Sequence, residues 1–177
     1  MAQRESAAAV LTMKIAYLGL GSNVGDREAM LQAAIERLQA PDLRVKKISS
    51  VYETAPRDFR AQPPFLNLAL ETECDLFPLK LLSRIDKIER ELGRQREVPK
   101  GPRSIDIDIL LYGNSVVHTA RLEIPHPRLF ERRFALEPLA EIAPDVRHPQ
   151  LRRTIRELLA ETANQDARKT SITLRIP

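Results

Sequence analysis

Apolar residues recur along the chain at two spacings, about two and between three and four positions. Positions 14–20 form a short, mostly apolar run ending at Gly19-Leu20-Gly21-Ser22-Asn23, which predicts a first strand stopped by a turn. Met30, Leu31, Ala34, Ile35 and Leu38 then follow at helical spacing behind Asp26, a residue able to cap a helix, and Pro41 ends the segment. Val45, Ile48, Val51 and Tyr52 alternate imperfectly, so positions 44–54 predict a strand with a bulge or bend. Positions 55–64 carry three prolines and several charges and read as a loop, after which the strand pattern resumes over 65–73. Pro78 opens a second helix with Leu81, Leu82, Ile85, Ile88 and Leu92 on one stripe, and Gly93 is placed to cap its end. A second loop, 94–103, leads into a strand over 104–112.

The order strand, helix, strand, strand, helix, strand predicts an α+β fold, a ferredoxin-like antiparallel sheet with a βαββαβ core. Beyond Gly113-Asn114, Pro125, Pro127, Pro138, Pro144 and Pro149 separate short helical pieces expected to cover part of the sheet. Ile155, Leu158 and Leu159 predict a last helix, and the alternation of Ile172, Leu174 and Ile176 an edge strand. The expected organisation is a flexible leader over 1–13 with Met13 as an alternative start, a main domain over 14–150, and 151–177 as a helix and edge strand of the same domain. The apolar patch Ala7-Ala8-Ala9-Val10-Leu11 is too short for a signal core, and no run reaches the roughly eighteen apolar residues of a membrane span.

Strand parity brings candidate chemistry together. Ile105, Ile107, Ile109 and Leu111 fall on one face of the last strand, and Asp106 and Asp108 on the other. Two neighbouring carboxylates repel each other, and Mg²⁺ is the cation that suits them, since it is usually held by one or two carboxylates plus substrate phosphates. A bare Asp-x-Asp is more often a solvated strand face; the neighbouring residues shift the balance. The same parity puts Leu66, Leu68 and Leu70 under the helices and leaves Phe65 and Asn67 on the carboxylate face, an aromatic ring and an amide suited to a heterocycle. Arg94, Arg96, Lys100 and Arg103 supply cations from the adjoining loop, and guanidinium groups grip phosphate oxygens in forked geometry.

Length and composition narrow the class. The chain has 177 residues, 43% hydrophobic and 29% charged, which fits one globular domain and excludes a disordered or fibrous protein. A net charge of +4 fits phosphate-bearing ligands, nucleic acid or simple solubility equally. Cys74 is the only cysteine, so no intrachain disulfide or thiolate metal cage can form, and a reducing, cytoplasmic setting is expected. Gly19-x-Gly21 is not the dinucleotide fingerprint, because Val24 stands where its third glycine or alanine belongs, and there is no Gly-Lys-Ser/Thr phosphate loop. His126, held between Pro125 and Pro127, is the most distinctive histidine.

Over roughly 14–149 the chain resembles the 6-hydroxymethyl-7,8-dihydropterin pyrophosphokinase family. The resemblance rests on Gly21-Ser22-Asn23, Gln62-Pro63-Pro64-Phe65-Leu66-Asn67, Gly101-Pro102-Arg103-Ser104-Ile105-Asp106-Ile107-Asp108-Ile109-Leu110 and Ile124-Pro125-His126-Pro127-Arg128, in that order. It implies a three-layer αβα fold and a monomeric enzyme moving pyrophosphate from ATP to a reduced pterin in folate synthesis, with no nucleic acid or membrane involved. By position, Asp106 and Asp108 match the ligands of two Mg²⁺ ions, with Arg94 and Arg96 as further catalytic groups. Thr54, Phe65, Asn67 and Phe134 match the pterin side, with the ring between the two phenylalanines. Glu89, Arg94, Arg96, Arg103, Arg121, His126 and Arg132 match the nucleotide side, although Glu89 also reads as a solvent-facing helix residue. Many relatives carry Arg-Trp just before Gly-Pro-Arg; here Pro99-Lys100 stands there and the loop is one residue shorter.

Two other readings compete. A ferredoxin-like RNA-binding module needs an aromatic-rich strand where positions 104–112 offer acids. A different Asp-x-Asp transferase using a nucleotide sugar leaves Phe65, Asn67 and Phe134 without a role.

Overall fold

The computed structural model describes residues 13–57, 61–94 and 101–177; the expected leader up to residue 12, together with Arg96, Pro99 and Lys100, lies outside them. Strand β1 (Lys14–Ser22) buries Ala16, Leu18 and Leu20 on one face, while Gly19 and Gly21 line a pocket on the other. Contrary to the turn expected at its glycines, β1 runs through both of them. It is paired on both sides, to β4 (Phe65–Cys74) and β5 (Asp106–Tyr112), so the missing side chains leave a gap on one face rather than a break in the ladder.

Helix α1 (Arg27–Leu38) starts as the sequence predicts, with the Ala29 N–H donating to Asp26 Oδ1 at 3.0 Å, and it buries Leu31, Ala34, Ile35 and Leu38. Helix α2 (Pro78–Glu91) buries Leu81, Ile85 and Ile88. Gly93, at φ 79°, ends it with a Schellman pair: Gly93 N–H donates to Arg90 C=O at 3.1 Å and Arg94 N–H to Glu89 C=O at 3.0 Å. That cap delivers Arg94 to the sheet edge.

The bend expected in 44–54 separates β2 (Leu43–Ile48) from β3 (Tyr52–Thr54), both paired to β4, and the register also slips between Val45 and Lys47. The strand order is β5-β1-β4-β3-β8, where β8 is Arg168–Lys169, with β2 also on β4 and every pairing antiparallel. Leu66, Leu68, Leu70, Ile107 and Ile109 join α1 and α2 in one apolar cluster. Helices α3 (Arg133–Ile142) and α4 (Ile155–Ala160) form a second cluster on the other face with Tyr17, Ala69 and Leu110, leaving part of that face open. Four α-helices thus accompany the sheet among the described residues.

Two expectations need correction. Leu111 does not share a face with Ile105, Ile107 and Ile109. Tyr17 pairs Leu111 and Leu18 pairs Ile109, so Leu110 is an extra, bulged residue that inverts the parity and sends Leu111 to the α3 side. The bulge is used: Leu110 C=O accepts the His126 N–H at 3.0 Å, fastening the segment after the small hairpin β6 (Val117–His118) and β7 (Glu123–Ile124) to β5. The edge strand expected at 172–176 is also misplaced, since the tail pairs only through β8 (Arg168–Lys169). Beyond it the side chain of Gln32 takes the backbone of Arg175 in place of a ladder, accepting its N–H at 2.9 Å and donating to its C=O at 3.1 Å. No helix among the described residues is long and apolar enough to cross a membrane.

Candidate active site

Three strands register one row across the open face: Asp106 on β5 lies beside Gly21 on β1, which lies beside Asn67 on β4. One pleat away, Asp108 lies beside Gly19, beside Ala69. The glycines therefore floor a trough between two carboxylates and a buried amide. A Cβ on Gly21 would stand 3.0 Å from Asn67 Oδ1 and press on its side chain, so glycine there leaves the amide its place. These glycines stand where the local sequence predicts a turn; the signal that sets them in the site is their register beside Asp106 and Asp108 across the sheet.

Asn67, 6% exposed, donates from Nδ2 to Thr54 Oγ1 at 2.7 Å, which fixes the orientation of its amide in the pocket wall. Phe65 from the start of β4 and Phe134 from the first turn of α3 line the same pocket, and the Arg132 guanidinium lies 5.5 Å from the Phe134 ring centroid. Arg57, Gln62, Leu129 and Ala135, none of them singled out individually in the sequence, complete stretches of the wall. Asn23, 2% exposed, binds this wall together: Nδ2 donates to Gln62 Oε1 and to Pro63 C=O, both at 3.0 Å, and Oδ1 accepts the Arg103 N–H at 2.8 Å.

The charges are interlocked. Arg94 reaches Asp106 Oδ1 at 3.0 Å and also pairs with Glu89, while Arg103 holds the other oxygen of Asp106. Asp106 is thus already compensated by two guanidinium groups. Glu89 is 3% exposed and accepts the Ile107 N–H at 2.7 Å, so it is no solvent-facing helix residue; burial raises its pKa and Arg94 opposes the rise. Asp108 is pushed up to about 7 by burial and then by the charge of Asp106. Protein surrounds it closely, yet 37% of its side-chain surface opens into the pocket.

Facing it, His126 is pushed down to about 4 by burial and by the Arg132 charge. Its Nδ1 accepts the Arg128 N–H at 3.1 Å, while Nε2 lies 3.4 Å from Arg132 Nη1 and 3.9 Å from Asp108 Oδ2. Arg121 stands apart, with Glu89 and Arg94 along an outer groove, where its Nη2 meets Asp86 at 3.3 Å. Among the described residues no three or more His, Cys, Asp or Glu side chains cluster to cage a metal, so a cation here would depend on few protein ligands. Arg96 lies outside the described residues.

The profile of the 7,8-dihydro-6-hydroxymethylpterin-pyrophosphokinase (HPPK) family matches residues 17–144. A 2-amino-4-hydroxy-6-hydroxymethyldihydropteridine pyrophosphokinase of Aquifex aeolicus (strain VF5) is 47% identical over 149 residues, 84% of this chain and 92% of that protein. A protein of the same name from Bacillus subtilis (strain 168) is 50% identical over 133 residues, 75% of this chain and 80% of the relative. Among solved structures, Plasmodium falciparum HPPK-DHPS, wild type with pteroate, superposes with a TM-score of 0.72 at 18% identity over 86% of this chain and 45% of that one, a likeness of fold. With two close relatives matched over most of their length, the chain belongs to the HPPK family of pyrophosphokinases, enzymes of folate biosynthesis.

Proposed function

We propose that the trough is a two-substrate site in which a reduced pterin lies between Phe65 and Phe134 with its polar edge at Asn67 and Thr54, while the triphosphate of ATP lies over Asp106 and Asp108. The observation that carries this reading is the registered row Asp106, Gly21, Asn67, which brings carboxylates and a buried amide to one glycine-floored face. The pterin hydroxymethyl oxygen bonds to the β-phosphorus and releases its proton to solvent, the bond from that phosphorus to the bridging oxygen of the α-phosphate breaks, and AMP leaves with that oxygen.

Asp106 and Asp108 would hold Mg²⁺, two ions with ATP bound. The fit is chemical: both are hard oxygen donors on one strand face, and Asp108, raised first by burial and then by the charge of Asp106, would be favoured in its ionised form by a bound cation. When bound, Mg²⁺ orients the phosphate oxygens and neutralises their charge. The chain's own groups do the rest. Arg94 and Arg103, paired with Asp106 in the ligand-free protein, exchange that carboxylate for phosphate oxygens. His126 and Arg132, with Nε2 and Nη1 3.4 Å apart, together close the phosphate side, and burial keeps the imidazole neutral there. Glu89 and Arg121, along the outer groove, take the nucleoside end of ATP. Arg96 keeps its catalytic assignment by resemblance.

Counting β2 and β3 as one broken strand supports the ferredoxin-like topology within a three-layer αβα arrangement. The same reading includes action as a monomer in the cytoplasm, without nucleic acid or membrane, as the family resemblance implies.

Incubation with ATP, Mg²⁺ and 6-hydroxymethyl-7,8-dihydropterin, followed by chromatography of the nucleotides, tests the reaction. AMP in equal amount to the pyrophosphorylated pterin is expected; ADP as the nucleotide product would contradict it.

A further inference from the structure

Helix α3 begins at the site yet has no cap of its own. Its N-cap residue, Arg132, makes no side-chain capping bond, although the next residues bring Phe134 and Ala135 to the pocket. The missing partner comes from the other end of the fold. Gln165, in the turn after α4, accepts the Arg133 N–H with Oε1 at 3.2 Å and donates from Nε2 to Glu131 C=O at 2.9 Å. Only this orientation of the amide serves both groups, since Arg133 offers a donor and Glu131 an acceptor. Thr162 C=O, in the same turn, also receives Arg133 Nη1 at 3.4 Å. Downstream, β8 pairs with β3, next to Thr54 on the opposite wall.

We infer that Gln165 is a positioning residue for pyrophosphate transfer, capping α3 from the tail and thereby setting the corner that carries Arg132 and Phe134. The inference rests on the site reading above. A loose cap lets the first turn of α3 fray, and both side chains leave the geometry in which they meet the substrates.

The test is steady-state kinetics and melting of the full chain carrying Gln165→Ala or Gln165→Glu, with Arg132→Ala and Phe134→Ala as reference variants and Gln32→Ala as a control loosening the far end of the tail. Gln165→Ala should raise KM for the pterin roughly tenfold, the factor carried by a helix cap of ordinary strength. Its kcat should change less, and the melting temperature no more than in Gln32→Ala, whose kinetics stay wild type. Gln165→Glu keeps the acceptor for the Arg133 N–H and should recover part of the KM loss; if the Ala variant fails to fold, this variant alone is compared with wild type, with a smaller rise in KM expected. Wild-type KM in the folded Gln165 variants, with impaired reference variants, would overturn the role of Gln165. Wild-type kinetics in both reference variants would instead remove the corner from the site, and the inference with it.

Discussion

Asn67 is the residue at which the pterin reading is most exposed. Its amide is buried and oriented by Thr54, and on the proposed reading Asn67→Ala would strip hydrogen bonds from the pterin and leave nucleotide contacts intact. Pterin affinity should fall much further than ATP affinity in calorimetric titrations with each ligand alone; equal losses would put Asn67 outside the pterin pocket. Asp108 and His126 make an opposed pair in pH. The native Asp108 keeps a proton that the unfolded chain has lost between about 4 and about 7, so its contribution to stability declines as pH rises through that window. The native His126 lacks a proton that the unfolded chain binds below its ordinary value, so its contribution is lost as pH falls from about 6.5 toward about 4. Relative to wild type, the melting temperature of ligand-free Asp108→Asn should therefore gain as pH rises over this range. That of His126→Gln should gain as pH falls. Parallel curves for all three proteins would refute these environments.

Elements place those residues, and here the sequence was legible unevenly. Helices α1 and α2 were readable because each carries its own signals, Asp26 at one start, Pro78 at the other, and Gly93 at an end. Asp106, Asp108, Phe65 and Asn67 were readable because strand parity is local. The continuation of β1 through Gly19 and Gly21 was not, since only pairing with β4 and β5 holds two glycines extended. Nor was the Leu110 bulge, which depends on register against β1 and on the His126 N–H. The role of Asn23 was hidden for the same reason, as its partners lie 39 to 80 positions away. Asn23→Ala should cost about 1–3 kcal/mol in denaturant unfolding, the range for leaving buried partners unsatisfied. It should also lower turnover, because the walls at Gln62 and Arg103 lose their common tie. A stability loss with unchanged turnover would make Asn23 purely structural.

For the molecule as a whole, the site is where its main chain crossings meet: β1, β4 and β5 supply the floor, α2 delivers Arg94, α3 delivers Phe134, and the tail fastens α3 and β3. The central claim is that Asp106 and Asp108 serve the transfer of pyrophosphate, and the structure gives the two residues different ligand-free signatures. Asp106 is tied to Arg94 and Arg103, so Asp106→Ala should lower the ligand-free melting temperature; Asp108 is held against its own ionisation, so Asp108→Ala should leave it unchanged or raise it at pH 8. The most direct test is the rate of AMP formation by both variants at saturating ATP, Mg²⁺ and pterin. A fall of at least about a hundredfold in each is predicted, the scale for losing a preorganised electrostatic contact to a transition state, whereas a wild-type rate in both would contradict the account.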